Sequence, residues 1–418
     1  MNYQVLTARR ALLGKELQQV EDVAVVIKDH MIQQILPQQE YEKAPLEGAQ
    51  VIDLGDVTLM PGLIECHTHL CIDSERPEHL ELLTWSNECE LTLIAVDALK
   101  RDLYAGVTTA RCLGDKFYID LTLKKQIEQG NVIGPRLLVA GIGMKGMHGA
   151  GHIGMPHCGP EELRRTARDN LKRGVDVIKL FITPGVPEPD AKMVPSFLSP
   201  EEISTVVGEA KRAGRPVSAH CIGGEGLKNC IECGVDIIEH MYMATQEDIQ
   251  RLLASNCVVD LTSGIFLDPS REPYLAPSGA EKIRRNRENV RKNLSNLVQA
   301  GVPFVLGTDA YHGYLYREVE YAVELGADPR TALKGVTSFA AEVCRISDVT
   351  GSLTPGLEAD LIAVKGNPLE SVSCLNDVNM VMKQGEIIRR HEEELSARAT
   401  ENGEVKIFDD ERAKREDN

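Results

Sequence analysis

The middle of the chain alternates short apolar runs with amphipathic stretches, and this alternation predicts strands followed by helices. The predicted strands cover residues 62–66, 107–111, 136–140, 175–180, 216–220, 235–239, 257–261 and 303–307. Apolar side chains at helical spacing predict helices over residues 161–173, 200–213, 246–255 and 280–300. Eight strands in alternation with helices are what a (β/α)8 barrel requires, so we expect an α/β fold of the TIM type.

The two ends of the chain follow another pattern, in which short apolar runs are separated by turns. These runs cover residues 23–27, 31–36 and 50–54 at one end, and 360–364 and 380–382 at the other. They predict strands, and we expect both ends to meet in one small β-sandwich. The expected division is therefore a sandwich made of residues 1–58 and 351–418, around a barrel of residues 59–350. The end of the last segment is a charged tail, for which the composition predicts a solvated helix or disorder.

Composition narrows the range of partners and compartments. The formal charge of −17 argues against nucleic acid or an anionic membrane as a partner. The N-terminus lacks the apolar core of a signal peptide, and no other run is long and apolar enough to span a bilayer. Eleven cysteines without a regular framework indicate reduced thiols. We therefore expect a cytoplasmic protein that acts on a small molecule.

Metal-ligating side chains stand at the ends of five predicted strands. His67 and His69, two residues apart on extended backbone, point the same way, and such a pair suits a divalent cation of the zinc type. An isolated pair of this kind is weak evidence. Four further residues close other strands, namely Lys179, His220, His240 and Asp309. In a TIM barrel the catalytic groups project from the C-terminal ends of several strands, so the six together predict one metal site.

Lysine is the unusual member of this set, because an ammonium group is costly to bury without a partner. A neutral Lys179 that captures CO₂ becomes a carbamate, whose two oxygens can bridge two metal ions. The alternative is a lysine that extends to solvent or pairs with an acid. Its five companions favour the bridge. We therefore expect two divalent metal ions, zinc in the first place, and a carboxylated Lys179.

Three motifs resemble the metal-dependent amidohydrolase superfamily, and the resemblance covers nearly the whole chain. They are the segment 60–69, which reads MPGLIECHTH, the Gly-Thr-Asp at 307–309, and the segment 351–361. The resemblance implies that His67, His69 and Asp309 hold one metal. It also implies that His220 and His240 hold the second, with Lys179 as the bridge.

Finer detail resembles the imidazolonepropionase-like subgroup that includes Xaa-Pro dipeptidases, or prolidases. The matching segments are 143–152, 178–185 and 239–243. Two departures are Gly-Met-His at 146–148, where the subgroup reads Gly-Gly-His, and His-Met at 240–241, where it reads His-Gly. Both fall beside the expected substrate. The subgroup's substrate specificity is therefore a weaker guide to this chain than the subgroup's mechanism. Multimeric relatives of the subgroup also imply a homo-oligomer.

The ligand set implies hydrolysis of a C–N bond by a hydroxide that bridges the two metals. Asp309 is expected to take the proton of the hydroxide and to pass it to the leaving nitrogen. His148, in the glycine-rich loop, and Tyr242, two residues after a ligand, are expected to donate hydrogen bonds to the developing oxyanion. The alternative for His148 is a solvated loop position without a catalytic role, and the alternative for Tyr242 is packing in the core. Arg111 ends a strand and is expected to serve in structural pairing rather than in substrate binding.

The expected substrates are dipeptides of the Xaa-Pro or Xaa-Arg/Lys type, or N-acyl amino acids. Hydrolysis of a non-peptide small molecule, such as a cyclic amide, urea, carbamate or ester, stays open because one fold and metal set serves many leaving groups. Deamination is disfavoured, since glycine at position 223 stands where deaminases of the superfamily carry a glutamate. A non-catalytic scaffold is disfavoured as well, because such a chain should lack ligands and all six are present.

Overall fold

The computed structural model describes residues 3–77, 79–149, 152–186 and 194–390, so the expected charged tail lies outside the described residues. The strands are β1 Tyr3–Leu13, β2 Gln18–Lys28, β3 Met31–Pro37, β4 Gln50–Asp53, β5 Val57–Pro61, β6 Leu63–Thr68, β7 Val107–Cys112, β8 Arg136–Val139, β9 Met144–Gly146, β10 Met155–His157, β11 Ile178–Phe181, β12 Val217–Cys221, β13 Ile237–His240, β14 Val258–Leu261, β15 Phe304–Leu306, β16 Leu361–Lys365, β17 Val378–Lys383 and β18 Glu386–Arg390.

The α-helices are α1 Gln38–Lys43, α2 His79–Trp85, α3 Glu88–Tyr104, α4 Ile119–Glu128, α5 Gly159–Arg173, α6 Pro200–Arg212, α7 Glu225–Cys233, α8 Gln246–Leu253, α9 Gly264–Leu267, α10 Pro277–Gln299, α11 Leu315–Glu324, α12 Pro329–Lys334 and α13 Ser338–Val343. Two 3₁₀ helices cover Pro269–Tyr274 and Val372–Asn376. Across the described ranges, no helix combines the length and the apolar character needed to cross a membrane.

Two parallel sheets occupy the middle of the chain. One has the order β6-β7-β8 and the other the order β10-β9-β11-β12-β13-β14-β15. Backbone hydrogen bonds also join the two sheets, from the Asp176 amide to the Val139 carbonyl and from the Asp309 amide to the His67 carbonyl, each at 2.8 Å. Parallel strands alternating with helices give a TIM-barrel-like α/β fold, as the sequence predicts. The short strands β9 and β10 are additional to the eight predicted strands.

The strands and helices of this part follow from their residues. Parallel strands packed on both faces are buried along their whole length, and every residue of β12 and β13 is buried, the polar His220, Glu239 and His240 included. Helix α6 begins with Ser199 and Glu202 in a capping box, with Pro200 at its first position. Helix α5 ends at Gly174, whose φ of +87° ends the helix at no steric cost.

The two ends of the chain meet in a third sheet. Its order is β18-β17-β16-β5-β1-β2-β3, with β4 beside β1. Strand β5 pairs in parallel with β1 and antiparallel with β16, and then leads into β6 through Gly62. At Gly62 a Cβ atom would lie 2.2 Å from the Thr108 hydroxyl, so only glycine allows this close approach to β7. The division into barrel and sandwich domains with the expected boundaries stays a prediction.

Candidate metal centre and active site

All six predicted ligands lie at one edge of the parallel sheets. His67 is on β6, Lys179 on β11, His220 on β12 and His240 at the end of β13, whereas His69 and Asp309 follow β6 and β15. In register, Phe181 pairs with His220, and Cys221 pairs with His240. The carboxyl ends of parallel strands share one edge, which is why residues far apart in the chain converge here.

Three of the ligands form a compact group. The Asp309 Oδ1 atom lies 3.4 Å from the Nε2 atoms of both His67 and His69. One ligand atom from each of the three residues falls within 4.8 Å of the others, a spacing that could hold a metal ion. The ring of His240 continues the cluster, with its centroid 4.9 Å from that of His67 and 4.4 Å from that of His220.

Each of the first two histidines is oriented through one ring nitrogen, which leaves the other free to bind a metal. The Nδ1 atom of His67 lies 2.7 Å from the Glu239 carboxylate, and Nδ1 of His69 lies 2.9 Å from the Gly114 carbonyl. Because a carbonyl only accepts, Nδ1 of His69 donates to Gly114 and Nε2 of His69 is the unprotonated nitrogen. The contact between His67 and Glu239 is a close approach of the ring to a carboxylate, and it positions the ring. Metal-binding histidines characteristically make such outer hydrogen bonds, because they fix the tautomer and the ring orientation.

The other two histidines are held in the same manner. Nδ1 of His240 lies 2.7 Å from the Thr262 hydroxyl, and Nε2 of His220 lies 3.0 Å from the Pro184 carbonyl. Burial lowers the pKa of His220 to about 4 and lowers the pKa of His240 as well. Both rings are therefore neutral near pH 7, and neutral imidazole is the form that binds metal.

The environment of the Lys179 side chain is unusual for a lysine. The side chain is fully buried, and its Nζ atom has no hydrogen-bond partner among the described residues. Nζ lies 5.2 Å from the centre of the Phe181 ring. Burial lowers the pKa of Lys179 to about 8, which favours the neutral amine that reacts with CO₂. Burial of the charged ammonium without a partner would cost roughly several kcal/mol of folding free energy.

An ion-pair network lies beneath the ligands. Nη2 of Arg111 lies 2.9 Å from Asp260 and 3.4 Å from Glu239, and its Nε donates to the Cys66 carbonyl at 2.6 Å. All three charged side chains are almost completely buried. Glu239 also contacts His67, so the network supports a ligand directly. Although His67, Glu239 and Asp260 also cluster closely enough for a metal, the guanidinium supplies their countercharge. Arg111 thus serves in structural pairing, as the sequence indicated.

The backbone is strained at two of the ligands. His240 and Met241 have φ values of +82° and +60°, and Asp309 and Ala310 have values of +54° and +71°. Residues other than glycine avoid this left-handed region, and each costs about 1–3 kcal/mol when held there. Such strain clusters at functional sites, because only the surrounding structure can maintain it.

A cavity of about 620 Å³ opens over the ligand cluster. His69, His220, His240 and Asp309 are in its wall. Most of the remaining wall is apolar and includes Ile72, Phe181, Val186, Phe197, Ile222 and Ile265. Among the lining residues in the described ranges, Asp309 is the only carboxylate, whereas three are cationic: Lys145, Arg271 and Lys282.

The two predicted oxyanion donors occupy different positions. Tyr242 is buried in the cavity wall, with its hydroxyl 2.9 Å from the Thr262 carbonyl and 3.3 Å from His240 Nδ1. Burial raises the pKa of Tyr242, so the hydroxyl keeps its proton. His148 is exposed, and its ring packs edge-on against Phe197 of the cavity wall, with centroids 5.4 Å apart. The structure thus brings Tyr242 to the ligands and places His148 at the surface.

Three residues at this site escaped the sequence-based prediction. Glu239 and Asp260 interrupt otherwise apolar strands, Ile-Ile-Glu-His and Val-Val-Asp-Leu, and a charge within such a strand was the available signal. Arg271 lies in the 3₁₀ helix after β14, and its sequence context carries no comparable signal.

A TIM-barrel-like fold with histidine, lysine and aspartate side chains gathered at its strand ends matches the class of hydrolases that act on carbon–nitrogen bonds, and the family and relatives of this chain place it in that class. The chain belongs to the amidohydrolase family, whose model matches residues 58–388. The family resemblance seen in the sequence is therefore confirmed. The family is generally metal-dependent, in agreement with the ligand group of His67, His69 and Asp309.

Two curated relatives illustrate the range of this family. Ochratoxinase from Aspergillus niger is 29% identical over 409 residues, which cover 88% of this chain and 83% of that protein. Imidazolonepropionase from Chromobacterium violaceum is 25% identical over 377 residues, which cover 82% and 85%, respectively.

Solved structures agree in fold. A crystal structure of a Xaa-Pro dipeptidase with methionine bound in its active site has a TM-score of 0.82 and 26% identity, covering 93% of this chain and 100% of that chain. The crystal structure of the A. niger ochratoxinase has a TM-score of 0.80 and 25% identity, with coverage of 93% and 96%. These neighbours support the TIM-barrel-like fold and the expected subgroup.

Proposed function

We propose that this chain is a binuclear metal-dependent amidohydrolase that cleaves an amide bond of a dipeptide or an N-acyl amino acid. The observation that carries the proposal is the convergence of six ligands that includes a buried Lys179 without a hydrogen-bond partner in the described ranges. The similarity to a Xaa-Pro dipeptidase and to ochratoxinase supports a small amide-containing substrate.

The residues divide into two ligand sets. His67, His69 and Asp309 would hold one metal ion and His220 and His240 the second, while a carboxylated Lys179 would bind both. In this proposal the eight parallel strands predicted from the sequence close into a barrel around the site. Nitrogen and oxygen ligands suit zinc. When bound, two such cations lower the pKa of a water molecule towards about 7 and polarise the scissile carbonyl.

Asp309 transfers a proton from the attacking water to the leaving nitrogen. Burial alone would raise the pKa of Asp309, but His67, His69 and Lys179 hold it below its usual range. The carboxylate is therefore ionised at neutral pH. It accepts a proton from the attacking water and delivers it to the leaving nitrogen, which would otherwise depart as an unstable anion.

Tyr242 is the oxyanion donor that this geometry supports best. Its protonated hydroxyl lies in the cavity wall beside His240, and it would exchange its bond to the Thr262 carbonyl for one to the substrate oxygen. His148 would need its loop to move past Phe197 before it reached the same oxygen.

A non-peptide substrate is the second candidate. The apolar wall of the cavity favours it, because aromatic or branched groups of an amide, urea or ester would be buried there with a gain of about 25 cal/mol per Å².

Metal analysis of Lys179→Ala tests the centre. Wild-type protein loaded with zinc and bicarbonate should hold nearly two ions per chain and, with ¹³C-bicarbonate, show a carbamate carbon signal. The variant should lose that signal, bind less than one ion and lose activity by more than about 100-fold, because the bridge supplies a ligand to both ions. The exposed residue Lys228 offers the matched control, Lys228→Ala, which should behave as wild type.

The activity screen should include Xaa-Pro and Xaa-Arg/Lys dipeptides, N-acyl amino acids and cyclic amides. Two bound ions and normal turnover in Lys179→Ala would disprove the bridge. Turnover of cyclic amides or esters alone would favour the second candidate.

A further inference from the structure

Arg271 is a buried cation in the wall of the cavity. The residue is 8% exposed and lies in the 3₁₀ helix Pro269–Tyr274. Its Nη1 donates to the Thr308 carbonyl at 3.2 Å, its Nη2 donates to the Ser74 hydroxyl at 3.3 Å, and its guanidinium carbon lies 4.8 Å from the Tyr311 ring centre. These contacts hold the side chain in place, and none of them is an ion pair.

The lack of a direct ion pair among the described residues sets Arg271 apart from Arg111. Within the described ranges, no carboxylate oxygen lies within 4.0 Å of the Arg271 guanidinium, whereas Arg111 contacts both Asp260 and Glu239. A buried charge is costly unless it is paired. A guanidinium has five donors in a planar fork, and the two bonds to Thr308 and Ser74 use only part of them.

The position of Arg271 indicates which end of a substrate it meets. Thr308, which accepts its hydrogen bond, directly precedes Asp309, the residue that protonates the leaving nitrogen in the proposed function. Arg271 is therefore on the side of the leaving amine. In an amino acid the carboxyl carbon is two bonds from the nitrogen, so a carboxylate there is close enough for the two-point pairing that arginine favours.

We propose that Arg271 binds the free α-carboxylate of the amino acid that leaves, and that the apolar wall binds an apolar acyl group. This inference rests on the proposed function and specifies its substrate class. The charges of the wall agree with it, because Lys145 and Lys282 accompany Arg271, and Asp309 is the sole carboxylate among the described lining residues. Such a wall favours anionic leaving groups and disfavours the cationic side chain of an Xaa-Arg or Xaa-Lys dipeptide.

A matched pair of substrates tests the role of Arg271. N-benzoyl-L-leucine has the carboxylate, and N-(3-methylbutyl)benzamide lacks it but keeps the same amide and side chain. With zinc-loaded enzyme, Arg271→Met should lower kcat/KM for the acid about 10- to 100-fold relative to the carboxylate-free amide, mainly through KM. Arg284→Met is the control, since Arg284 is a half-exposed residue on α10, and it should leave the ratio unchanged.

A second variant separates binding from folding. Arg271→Gln keeps hydrogen-bond donors for Thr308 and Ser74 but lacks the charge, so it should give the same loss of preference. Hydrolysis by either variant with an unchanged ratio of acid to amide would overturn the role of Arg271 and leave the proposed function intact.

If the wild type hydrolyses neither compound, the proposed function fails for this class, and calorimetric titration with N-benzoyl-L-leucine still decides the role of Arg271. At least about tenfold weaker binding by both variants than by wild type would support the carboxylate site. Equal affinities would overturn it.

Discussion

Arg111 is the residue whose removal tests most directly how the site is supported. It compensates Glu239 and Asp260 in a region that water does not reach, with all three side chains at most 2% exposed. Arg111→Met keeps the apolar stem but removes the guanidinium, so two buried acids lose their partner. The bond from its Nε to the Cys66 carbonyl is lost as well.

The expected cost follows from this geometry. Breaking a buried ion pair by removing one partner costs about 3–5 kcal/mol, because the remaining charge is desolvated and uncompensated. A second effect reaches the ligands, since Glu239 orients His67 through a 2.7 Å contact. Loss of such an outer contact typically reduces metal affinity by about 10- to 100-fold.

The assay is equilibrium unfolding in urea with excess chelator, so that metal binding does not contribute to the free energy of unfolding. Arg291→Met is the control, because Arg291 pairs with the exposed Glu324 and its loss should cost about 1 kcal/mol or less. The double variant Arg111→Met/Asp260→Asn should recover part of the loss. If Arg111→Met costs no more than Arg291→Met, the network does not support the strands and our reasoning is wrong.

Two further predictions concern packing and pH. At Gly307 a Cβ atom would lie 2.5 Å from the His67 Cβ. Gly307→Ala should therefore lower the free energy of unfolding by about 1–3 kcal/mol and weaken metal binding. The control Gly279→Ala adds a methyl group in open space on α10 and should not destabilise the fold. Equal unfolding free energies for the two variants would contradict this. Burial alone would lower the pKa of His312, but Asp102, 2.8 Å away, raises it. The protonated pair therefore stabilises the fold fully below the unfolded pKa of about 6.5, and this stabilisation is lost as the pH rises through the raised pKa of the folded state. The difference in unfolding free energy between wild type and His312→Gln should shrink between about pH 6 and pH 9. A difference that stays constant over this range, measured in the presence of chelator, would refute the assignment.

Much of the fold was predictable because a long apolar or amphipathic run is compatible with few secondary structures. The segments predicted as 62–66 and 280–300 correspond to β6, Leu63–Thr68, and α10, Pro277–Gln299. The three-residue strands β9 and β10 were not predictable, since neither has a pattern of its own. Strand β9 forms where Met144 pairs with Leu180 of β11, a contact that exists only in the folded chain.

The site was predictable to the same degree and for a similar reason. Ligands at strand ends must share an edge, so the convergence of the six residues could be expected from their places in the pattern. Their outer partners could not, because the carbonyls of Gly114 and Pro184 come from loops 45 and 36 residues away from His69 and His220. The surface position of His148 likewise depends on loop shape.

The sheet built from both chain ends has a consequence for how the chain folds while it is being synthesised. The partner of β5 on one edge, β1, precedes it in the chain, but its partner on the other edge is β16, which begins at Leu361. At about 5–20 residues per second, the ribosome needs roughly 15–60 seconds to make the intervening segment. During this time the apolar strand Val57–Pro61 presents an open edge, which is a template for wrong pairing. Anything that covers this edge until the last strands emerge would therefore reduce wrong pairing of the nascent chain.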